Sequence, residues 1–391
     1  MSARYRIQTL NNISVKGLER LPRDRYEVAS DIGRPQGILV RSADMHGLNI
    51  PDSVLAVARA GAGVNNVPVA ALSKRGVPVF NAPGANANAV KELVIASMFL
   101  AARNICQGWS FARALSGDDT TIDQATEAGK KNFVGFELPG RTLGVVGLGA
   151  IGVEVANCAE KLGMKVLGYD PQITVQRAWQ LSSGVEQALS LDDLFSRSDL
   201  VTVHVPLMDA TRGLVNESRL SLMRKDGVVL NFSRAPIVDD AAVVAALDAG
   251  RLHAYICDFP KSALKDHPKV VTLPHLGAST GEAEENCAVM VADTLRDFLE
   301  NGNIRNCVNF PEAVLPRAAG TVRIAVANSN VPNMVGQIST ALATARLNIA
   351  ELLNKSRGEY AYTLIDAEGS VDPVLQQQLA AIKGVLSVRL I

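Results

Sequence analysis

Short apolar runs alternate with helix-length or polar segments along most of the chain. In the first 90 residues, the β-like runs YRIQTL, YEVAS, GILVRSA, AVARAG and VPVFNAP are separated by helical or loop segments. The same alternation returns after residue 142, where LVTVHVP, DGVVLNFSR, HAYICDF and VVTLPHLG follow one another. Strands that alternate with helices predict α/β domains built on parallel sheets.

The strongest local pattern lies between residues 142 and 170. Apolar Leu143–Val146 predicts a buried strand, which is followed by a glycine-rich turn, a helix to about Leu162 and a second strand ending at Asp170. Such a turn allows a pyrophosphate to approach the N-terminus of the helix, and the final carboxylate can accept both ribose hydroxyls. The pattern predicts a dinucleotide site, and it favours NAD over NADP because Asp170 would repel the 2′-phosphate of NADP. The predicted cofactor contacts here are Gly147, Gly149, Ala150, Ile151, Gly152 and Asp170.

Two further stretches indicate how the domains are connected. A helix that begins at about Ala89 is apolar nearly all round, so we expect it to be buried between two domains. After Val314–Pro316 the pattern restarts with TVRIAVANSNVP (strand), NMVGQISTALATARLNI (helix), YAYTLIDAE (strand), VLQQQLAAI (helix) and VLSVRLI (strand). This restart predicts a small, separate α/β module.

Composition narrows the class of protein. The 391 residues suffice for two or three domains, and 48% hydrophobic with 20% charged residues is ordinary for a soluble globular protein. A formal net charge of zero, without a basic cluster, argues against nucleic acid or a membrane as partner. The five cysteines are scattered without a CxxC pair, which predicts neither disulfides nor a metal site. No signal peptide opens the chain, and we expect a cytoplasmic location.

Polar residues with catalytic chemistry follow the predicted strands of the middle region. His204, Arg234, Asp258 and His275 each come at or just after a strand end, and such ends face one crevice in a parallel sheet. Oxidation of a hydroxyl next to a carboxylate needs a base and a cation. His275 is the best base, since histidine titrates near neutral pH, and Arg234 is the best carboxylate clamp. We expect His204, with the Val205 and Pro206 that follow it, to line the cofactor pocket.

Two loops near the N-terminus could bind an anionic substrate. Arg41 and Ser42 follow the run GILV, and Arg59 begins the sequence RAGAGVNN. Backbone N–H groups of the glycine-rich loop could hold a carboxylate, and either arginine a phosphate. Turns with a solvated arginine are the alternative. The candidate substrate residues are Arg41, Ser42, Arg59, Gly61 and Gly63.

The motifs KKNFVGFELPGRTLGVVGLGAIG, VHVP, NFSRAPIVD, CDF and LPHLGAST resemble the D-2-hydroxyacid dehydrogenase family. Together with a tail of about 70 residues, RSA and RAGAGVNNV resemble the branch that oxidises D-3-phosphoglycerate to 3-phosphohydroxypyruvate with NAD, the first step of L-serine biosynthesis. The resemblance implies that Arg234 binds the substrate carboxylate and that His275 is the acid–base residue. It also implies that Asp258 contacts the nicotinamide carboxamide and that Arg41 and Arg59 bind the substrate phosphate.

The resemblance implies three domains as well. These are a flavodoxin-like substrate domain (1–93 and 283–312), a Rossmann-type NAD-binding domain (94–282) and an α+β ACT-like regulatory domain (313–391). Asn328, Asn330 and Asn348 match positions that bind serine in ACT domains, although Asn328 replaces a common histidine and Asn333 a common glycine. The alternative is a dimerisation module whose edge strands pair across subunits, and we expect a homodimer or homotetramer.

Two departures from the family pattern leave other functions open. Ala235 stands where glycine usually follows the active-site arginine, and no carboxylate follows Asp258 until Asp266, where the family has a catalytic glutamate that orients the histidine. The alternatives are a dehydrogenase for another D-2-hydroxy acid and an NAD-binding sensor or interaction protein with weak catalysis. The retained Arg234 and His275 argue against the sensor.

Overall fold

A computed structural model describes residues 4–391, apart from the side chain of residue 373. The chain forms two compact units: residues up to Asn86 join Gly281–Ile391 in the first, and Ala87–Thr280 form the second. The chain therefore leaves the first unit and later returns to it. Within residues 4–391, no helix is both long and apolar enough to cross a membrane.

The N-terminal part of the first unit is a parallel sheet in the order β2-β1-β3-β4-β5. This is the strand order of flavodoxin-like folds and confirms that part of the predicted fold class. Every residue of β3 is buried, as expected for a parallel strand covered on both faces. The elements are β1 (Tyr5–Leu10), α1 (Val15–Leu18), β2 (Tyr26–Ala29), β3 (Gly37–Val40), β4 (Ala56–Arg59), α2 (Val69–Lys74) and β5 (Val79–Phe80).

The second unit is a Rossmann-type fold. Its sheet is parallel, in the order β12-β11-β10-β9-β6-β7-β8, so the direction of winding reverses between β6 and β9. Ligands of such sheets bind at the carboxyl ends of the strands beside this reversal. The strands are β6 (Thr142–Val146), β7 (Lys165–Tyr169), β8 (Val185–Gln187), β9 (Leu200–Val203), β10 (Gly227–Asn231), β11 (Leu252–Cys257) and β12 (Val270–Thr272). The helices are α3 (Ala87–Ala102), α4 (Ile105–Ala114), α5 (Asp119–Gly129), α6 (Ala150–Lys161), α7 (Val175–Ala178), α8 (Leu191–Arg197), α9 (Glu217–Leu222) and α10 (Asp240–Asp248).

The chain re-enters the first unit through the long helix α11 (Gly281–Asn301). Its buried side chains include Cys287, Val291, Leu295 and Phe298, whose spacing of three or four residues puts them on one face. This face packs into the core formed by the N-terminal sheet. Helix α11 therefore completes a core that the first 86 residues begin.

The tail forms an antiparallel sheet in the order β14-β15-β13-β16, and this confirms the predicted small α+β element. One face carries α12 and α13, while Ala325, Ala327, Tyr362 and Leu364 on the other face share a core with α11. The tail is thus part of the first unit, whereas the sequence pattern predicted a separate module. The elements are β13 (Val322–Ser329), α12 (Met334–Thr344), β14 (Asn348–Arg357), β15 (Tyr360–Glu368), α13 (Pro373–Ala380) and β16 (Val385–Leu390).

Arg323 of β13 forms a buried ion pair within the tail and ties the tail to the end of α11. Nε and Nη2 of Arg323 each donate to the Asp366 carboxylate at 2.7 Å, and both side chains are fully buried. The remaining Arg323 donors reach the carbonyl oxygens of Asn301, Leu315 and Pro316 at 2.7–3.1 Å. Buried charges are tolerated where pairing and hydrogen bonding are this complete.

Candidate functional site

The turn after β6 fits a dinucleotide. Gly147 has φ 91°, and a Cβ there would lie 2.8 Å from the carbonyl oxygen of His204. A Cβ at Gly152 would lie 1.9 Å from the Gly147 oxygen, so this glycine permits helix and strand to pack closely. Gly149 faces open space, and α6 begins at Ala150. The turn therefore leaves room for a pyrophosphate at the N-terminus of the helix.

The Asp170 carboxylate is fixed at the end of β7. Its Oδ2 accepts a hydrogen bond from the Leu148 amide at 2.9 Å, and its Oδ1 accepts one from the Gln172 amide at 2.9 Å. A carboxylate oxygen has a second lone pair, so both oxygens can still accept ribose hydroxyls. The structure thus positions Asp170 beside the glycine-rich turn, as the spacing predicts.

His204 lies across the reversal point from this turn. Its amide donates to the Val146 oxygen at 2.7 Å, which joins the ends of β9 and β6. Its Nε2 is 3.0 Å from Oγ1 of Thr202, and burial lowers the pKa of His204 to about 4. The ring is therefore neutral at physiological pH and is poorly suited to proton transfer. The predicted contacts of His204, Val205 and Pro206 with the cofactor stay predictions.

Arg234 lies in a loop that the Asn231 side chain shapes. Nδ2 of Asn231 donates to the Arg234 carbonyl oxygen at 3.1 Å, and its Oδ1 accepts from the Ser233 backbone amide at 3.1 Å. The Arg234 side chain is exposed and forms no ion pair with any residue that the structure describes. Its guanidinium group is therefore available to bind a carboxylate. Ala235 starts a 3-10 turn and does not have a positive φ, so its Cβ is accommodated there.

The Asp258 carboxylate holds the turn that carries His275. Asp258 is 1% exposed and accepts hydrogen bonds from the amides of Leu276 at 2.7 Å and Gly277 at 2.8 Å. His275 itself has φ 56°, in the left-handed region that histidine adopts more readily than most residues. Asp258 therefore positions His275. Its predicted contact with the nicotinamide carboxamide stays a prediction.

The His275 ring is exposed and lies 5.4 Å from the Phe259 ring, edge to face. In residues 4–391, no carboxylate lies within hydrogen-bond distance of this ring. Asp266, the first acid after Asp258, pairs instead with Lys265 at 2.5 Å and points into solvent. The missing orienting glutamate stays a prediction.

The candidate substrate arginines lie at the carboxyl ends of β3 and β4 in the first unit. Nε of Arg59 donates to the Arg41 oxygen at 3.0 Å, which ties the two loops together. The Arg59 guanidinium lies over Gly61, where a Cβ would be 1.8 Å from Nη1. Glycine at this position is therefore what allows the guanidinium to lie against the loop, with Gly63 two residues further on.

Arg41 is not a free cation. It forms a close ion pair with Glu284 of α11, and both side chains are about two-fifths exposed. The amide of the neighbouring Ser42 donates to Oδ1 of Asn11 at 3.3 Å. A phosphate at this edge would therefore compete with Glu284 for Arg41.

Comparison with known proteins identifies the family. Residues 95–277 match the family described as D-isomer specific 2-hydroxyacid dehydrogenase, NAD binding domain. A D-3-phosphoglycerate dehydrogenase of Haemophilus influenzae is 32% identical over 340 residues, which cover 84% of this chain and 79% of that protein. The chain belongs to the D-2-hydroxyacid dehydrogenase family. Since the matched segment is the NAD-binding domain of that family, NAD is the cofactor that this chain binds.

Other relatives extend this result. A D-3-phosphoglycerate dehydrogenase of Archaeoglobus fulgidus is 36% identical over 300 residues, or 73% of this chain and 54% of that protein. The chain thus spans about half the length of that relative. The structure of D-mandelate dehydrogenase of Rhodotorula graminis is similar with a TM-score of 0.65 at 25% identity, covering 76% of this chain and 95% of that one.

The tail contains a cavity of about 170 Å³, lined in part by Asn328, Asn330 and Asn354. Asn328 is 1% exposed, and its Oδ1 has no hydrogen-bond partner among the described residues. Asn348 lies elsewhere, where its side chain donates to Glu368 at 2.8 Å. Two of the three candidate serine-binding residues, Asn328 and Asn330, therefore line one cavity. Asn354 lines it as well, although the sequence pattern did not single it out.

Proposed function

We propose that the protein oxidises D-3-phosphoglycerate to 3-phosphohydroxypyruvate with NAD, which is the first step of L-serine biosynthesis. The observation that carries this proposal is the similarity, over 84% of the chain, to a protein named D-3-phosphoglycerate dehydrogenase. Arg234 and His275 follow β10 and β12 at the carboxyl edge of the sheet that also carries the glycine-rich turn, which supports the reaction class. Arg41 and Arg59 support a phosphorylated substrate.

Each residue has a separate task in this mechanism. Arg234 binds the substrate carboxylate through its exposed guanidinium. His275 accepts the proton of the hydroxyl group during oxidation and returns it during reduction. Bound NAD supplies the nicotinamide that accepts a hydride from the hydroxyl carbon. Asp258 keeps the His275 turn in place, and neutral His204 adds no charge beside the cofactor.

Arg59→Ala tests the phosphate assignment. Loss of a charge-assisted contact should lower kcat/KM for D-3-phosphoglycerate by about 1.5–3 kcal/mol, about 10–100-fold. Use of D-glycerate, which lacks the phosphate, should hardly change, and Arg23→Ala removes an exposed arginine of the same unit as a control. If the wild-type protein uses D-glycerate or another unphosphorylated D-2-hydroxy acid equally well, the phosphate assignment is wrong.

A second candidate is an NAD-binding protein with weak catalysis. The observation that favours it is the lack of a carboxylate beside the exposed His275 ring among the described residues. Formation of NADH from a panel of D-2-hydroxy acids decides between the two. NAD binding without turnover of any acid would favour the sensor, and turnover of D-3-phosphoglycerate would favour the enzyme.

We also propose that the tail cavity binds L-serine. Oδ1 of Asn328, which has no partner among the described residues, could accept a hydrogen bond from the serine ammonium group. The N-terminus of α12 could bind the serine carboxylate. Asn333, with φ 63°, adopts the left-handed conformation that asparagine tolerates. Calorimetry with L-serine on the wild type and Asn328→Ala tests this, because only the wild type should bind. A point substitution is preferable to deletion of the tail, which would expose the core shared with α11.

The remaining expectations stay proposals. A cytoplasmic location is supported by the cysteines, which are all free in the described chain. Assembly as a homodimer or homotetramer, and the domain boundaries at 93/94, 282/283 and 312/313, are proposed on the family resemblance.

A further inference from the structure

A cavity of about 380 Å³ lies inside the first unit, between the tail sheet and the N-terminal sheet. One wall includes Leu55 and Arg75, which belong to the N-terminal part. Another includes Leu386 and Arg389 of β16, and Phe298 of α11 also lines the cavity. The cavity thus has walls from three segments that are far apart in sequence. None of these residues belongs to the NAD turn or to the asparagine cavity.

Arg389 is the polar centre of this cavity. Its Nη1 and Nη2 donate to the carbonyl oxygens of Phe298 and Leu299 at 3.0 and 2.9 Å, near the C-terminal end of α11. Its guanidinium also lies 4.4 Å from the centre of the Phe298 ring. No carboxylate of residues 4–391 pairs with it, and burial lowers the pKa of Arg389, although a guanidinium stays protonated.

This environment only partly compensates the charge. A guanidinium has five N–H donors, of which the two carbonyl contacts occupy two. Helix-terminal carbonyls and an aromatic face stabilise a cation. Arg389 is half-buried, and an anion would offset the cost of withdrawing its charge from water. The cavity in front of Arg389 is where such an anion has room.

The rest of the lining favours an organic anion. Arg75 adds a second guanidinium, which donates to the oxygens of Ile50 and Pro51 at 3.0 and 2.8 Å. Its ion-pair partner at 3.3 Å, Asp52, also lines the cavity, but its side chain is fully exposed, so solvent screens that carboxylate. Leu55, Phe298 and Leu386 provide apolar contact surface. Positive charge beside apolar walls suits a carboxylate attached to an apolar body.

We propose that this cavity binds a small organic carboxylate, with its charged end at Arg389 and its apolar body against Leu55, Phe298 and Leu386. A ligand there contacts the tail and the N-terminal part of the unit together. Its occupancy therefore stabilises the docking of the tail on α11. The proposal does not depend on which acid the NAD site oxidises, because the two sites share no residue.

Benzoate is a suitable probe, because it carries a carboxylate on an apolar ring and is not a 2-hydroxy acid. Benzamide is its uncharged counterpart. Titration calorimetry with the full-length protein should give a Kd of about 1 mM or lower for benzoate and at least about tenfold weaker binding for benzamide. Methyl-labelled protein should give contacts between the benzoate ring and the Leu386 methyl groups in NMR spectra.

Two variants test the site in different ways. Arg389→Gln removes the cation and should weaken benzoate binding by at least about tenfold. Leu386→Trp keeps the cation but fills the cavity, and it should abolish binding even if Arg389→Gln proves poorly folded. Arg346→Gln is the matched control, since it removes an exposed positive charge from the tail. NAD binding by each variant reports on the second unit.

The possible results separate the proposal from a purely structural role of Arg389 as a cap for α11. Binding of benzoate to the wild type, with loss in Leu386→Trp and persistence in Arg346→Gln, supports the site. No binding at about 10 mM benzoate, equal affinity for benzamide, or unchanged binding in Leu386→Trp would each overturn it. Binding of inorganic phosphate in preference to benzoate would overturn the assignment to an organic anion.

Discussion

Replacing Asp258 by asparagine should destabilise the turn that carries His275. The buried Asp258 carboxylate accepts from the Leu276 and Gly277 amides at 2.7 and 2.8 Å. Asparagine keeps one acceptor oxygen, but its NH2 group faces the second amide, which then lacks a partner. A hydrogen bond to a charged group contributes about 1.5–3 kcal/mol, and an unsatisfied buried donor costs about 1–3 kcal/mol. Because these two effects overlap, we expect the free energy of unfolding to fall by about 2–4 kcal/mol.

The same change should reduce turnover more than cofactor affinity. Misplacement of a reacting group by about 1 Å can lower a rate by about 100-fold. We therefore expect kcat to fall by about 10–100-fold, while the Kd for NAD changes by less than about threefold. A direct contact between Asp258 and the nicotinamide carboxamide would instead weaken NAD binding in this variant.

Three measurements check this prediction. Hydrogen exchange of the Leu276 and Gly277 amides should accelerate, denaturant unfolding gives the loss of stability, and NADH absorbance gives kcat. Asp266→Asn is the control, because this exposed residue pairs only with Lys265 within residues 4–391, and its replacement should cost less than about 0.5 kcal/mol. Wild-type exchange rates and stability in Asp258→Asn would refute the reasoning. A collapse of activity in Asp266→Asn would identify Asp266 as the orienting carboxylate.

Asp170→Ala should reduce the preference for NAD over NADP by about tenfold, or about 1.4 kcal/mol, because the carboxylate no longer repels a 2′-phosphate. An unchanged ratio of the Kd values for NAD and NADP would show that Asp170 does not contact the ribose. Ser262→Glu, or Ala263→Glu if the loop register differs by one residue, should raise kcat and extend keto-acid reduction to higher pH, because a nearby carboxylate favours protonated His275. Unchanged pH profiles in both variants would contradict the missing-glutamate hypothesis. The folded-state pKa of His204, about 4, is below the unfolded value of about 6.5, so the unfolded chain binds the proton first as the pH falls. The free energy of unfolding should therefore decrease by at most about 3 kcal/mol as the pH falls from about 6.5 to 4. His204→Gln should remove this part of the acid sensitivity. Equal slopes of unfolding free energy against pH in the wild type and the variant would refute the prediction.

The Rossmann half of the fold could be predicted from sequence because its signals are local. Buried parallel strands are continuous apolar runs, and the run Leu143–Val146 became β6. The turn at Gly147 and the acid at Asp170 follow at distances that the backbone geometry requires. Each of these features lies within 30 residues of the others, so one short window contains the whole pattern.

Strand β14 (Asn348–Arg357) was not predicted, and its position in the sheet explains why. It is an edge strand, and none of its residues is fully buried, so NIAELLNKSR carries no regular apolar alternation. The pattern instead extended the preceding helix to Ile349, although α12 ends at Thr344. The predicted order of strands and helices in the tail was therefore short by one strand.

The supporting contacts of the site were hidden from sequence for another reason. The hydrogen bonds from the Leu276 and Gly277 amides to Asp258 use backbone donors, which every residue except proline has. The pair Arg323–Asp366 joins residues 43 positions apart, and nothing in either local sequence selects the other. Sequence therefore indicated which residues could do chemistry, while the fold determines which residues position them.

The return of α11 to the first unit sets an order for synthesis on the ribosome. Ile7 and Leu39 share their core with Val291 and Leu295, which are made after the whole second unit. At about 5–20 residues per second, the roughly 200 intervening residues take about 10–40 s to appear. During that interval the N-terminal sheet lacks its covering helix, and its apolar face is open to chaperones or to aggregation. The second unit, whose sequence is continuous, can fold first, and the N-terminal sheet is completed only when α11 emerges.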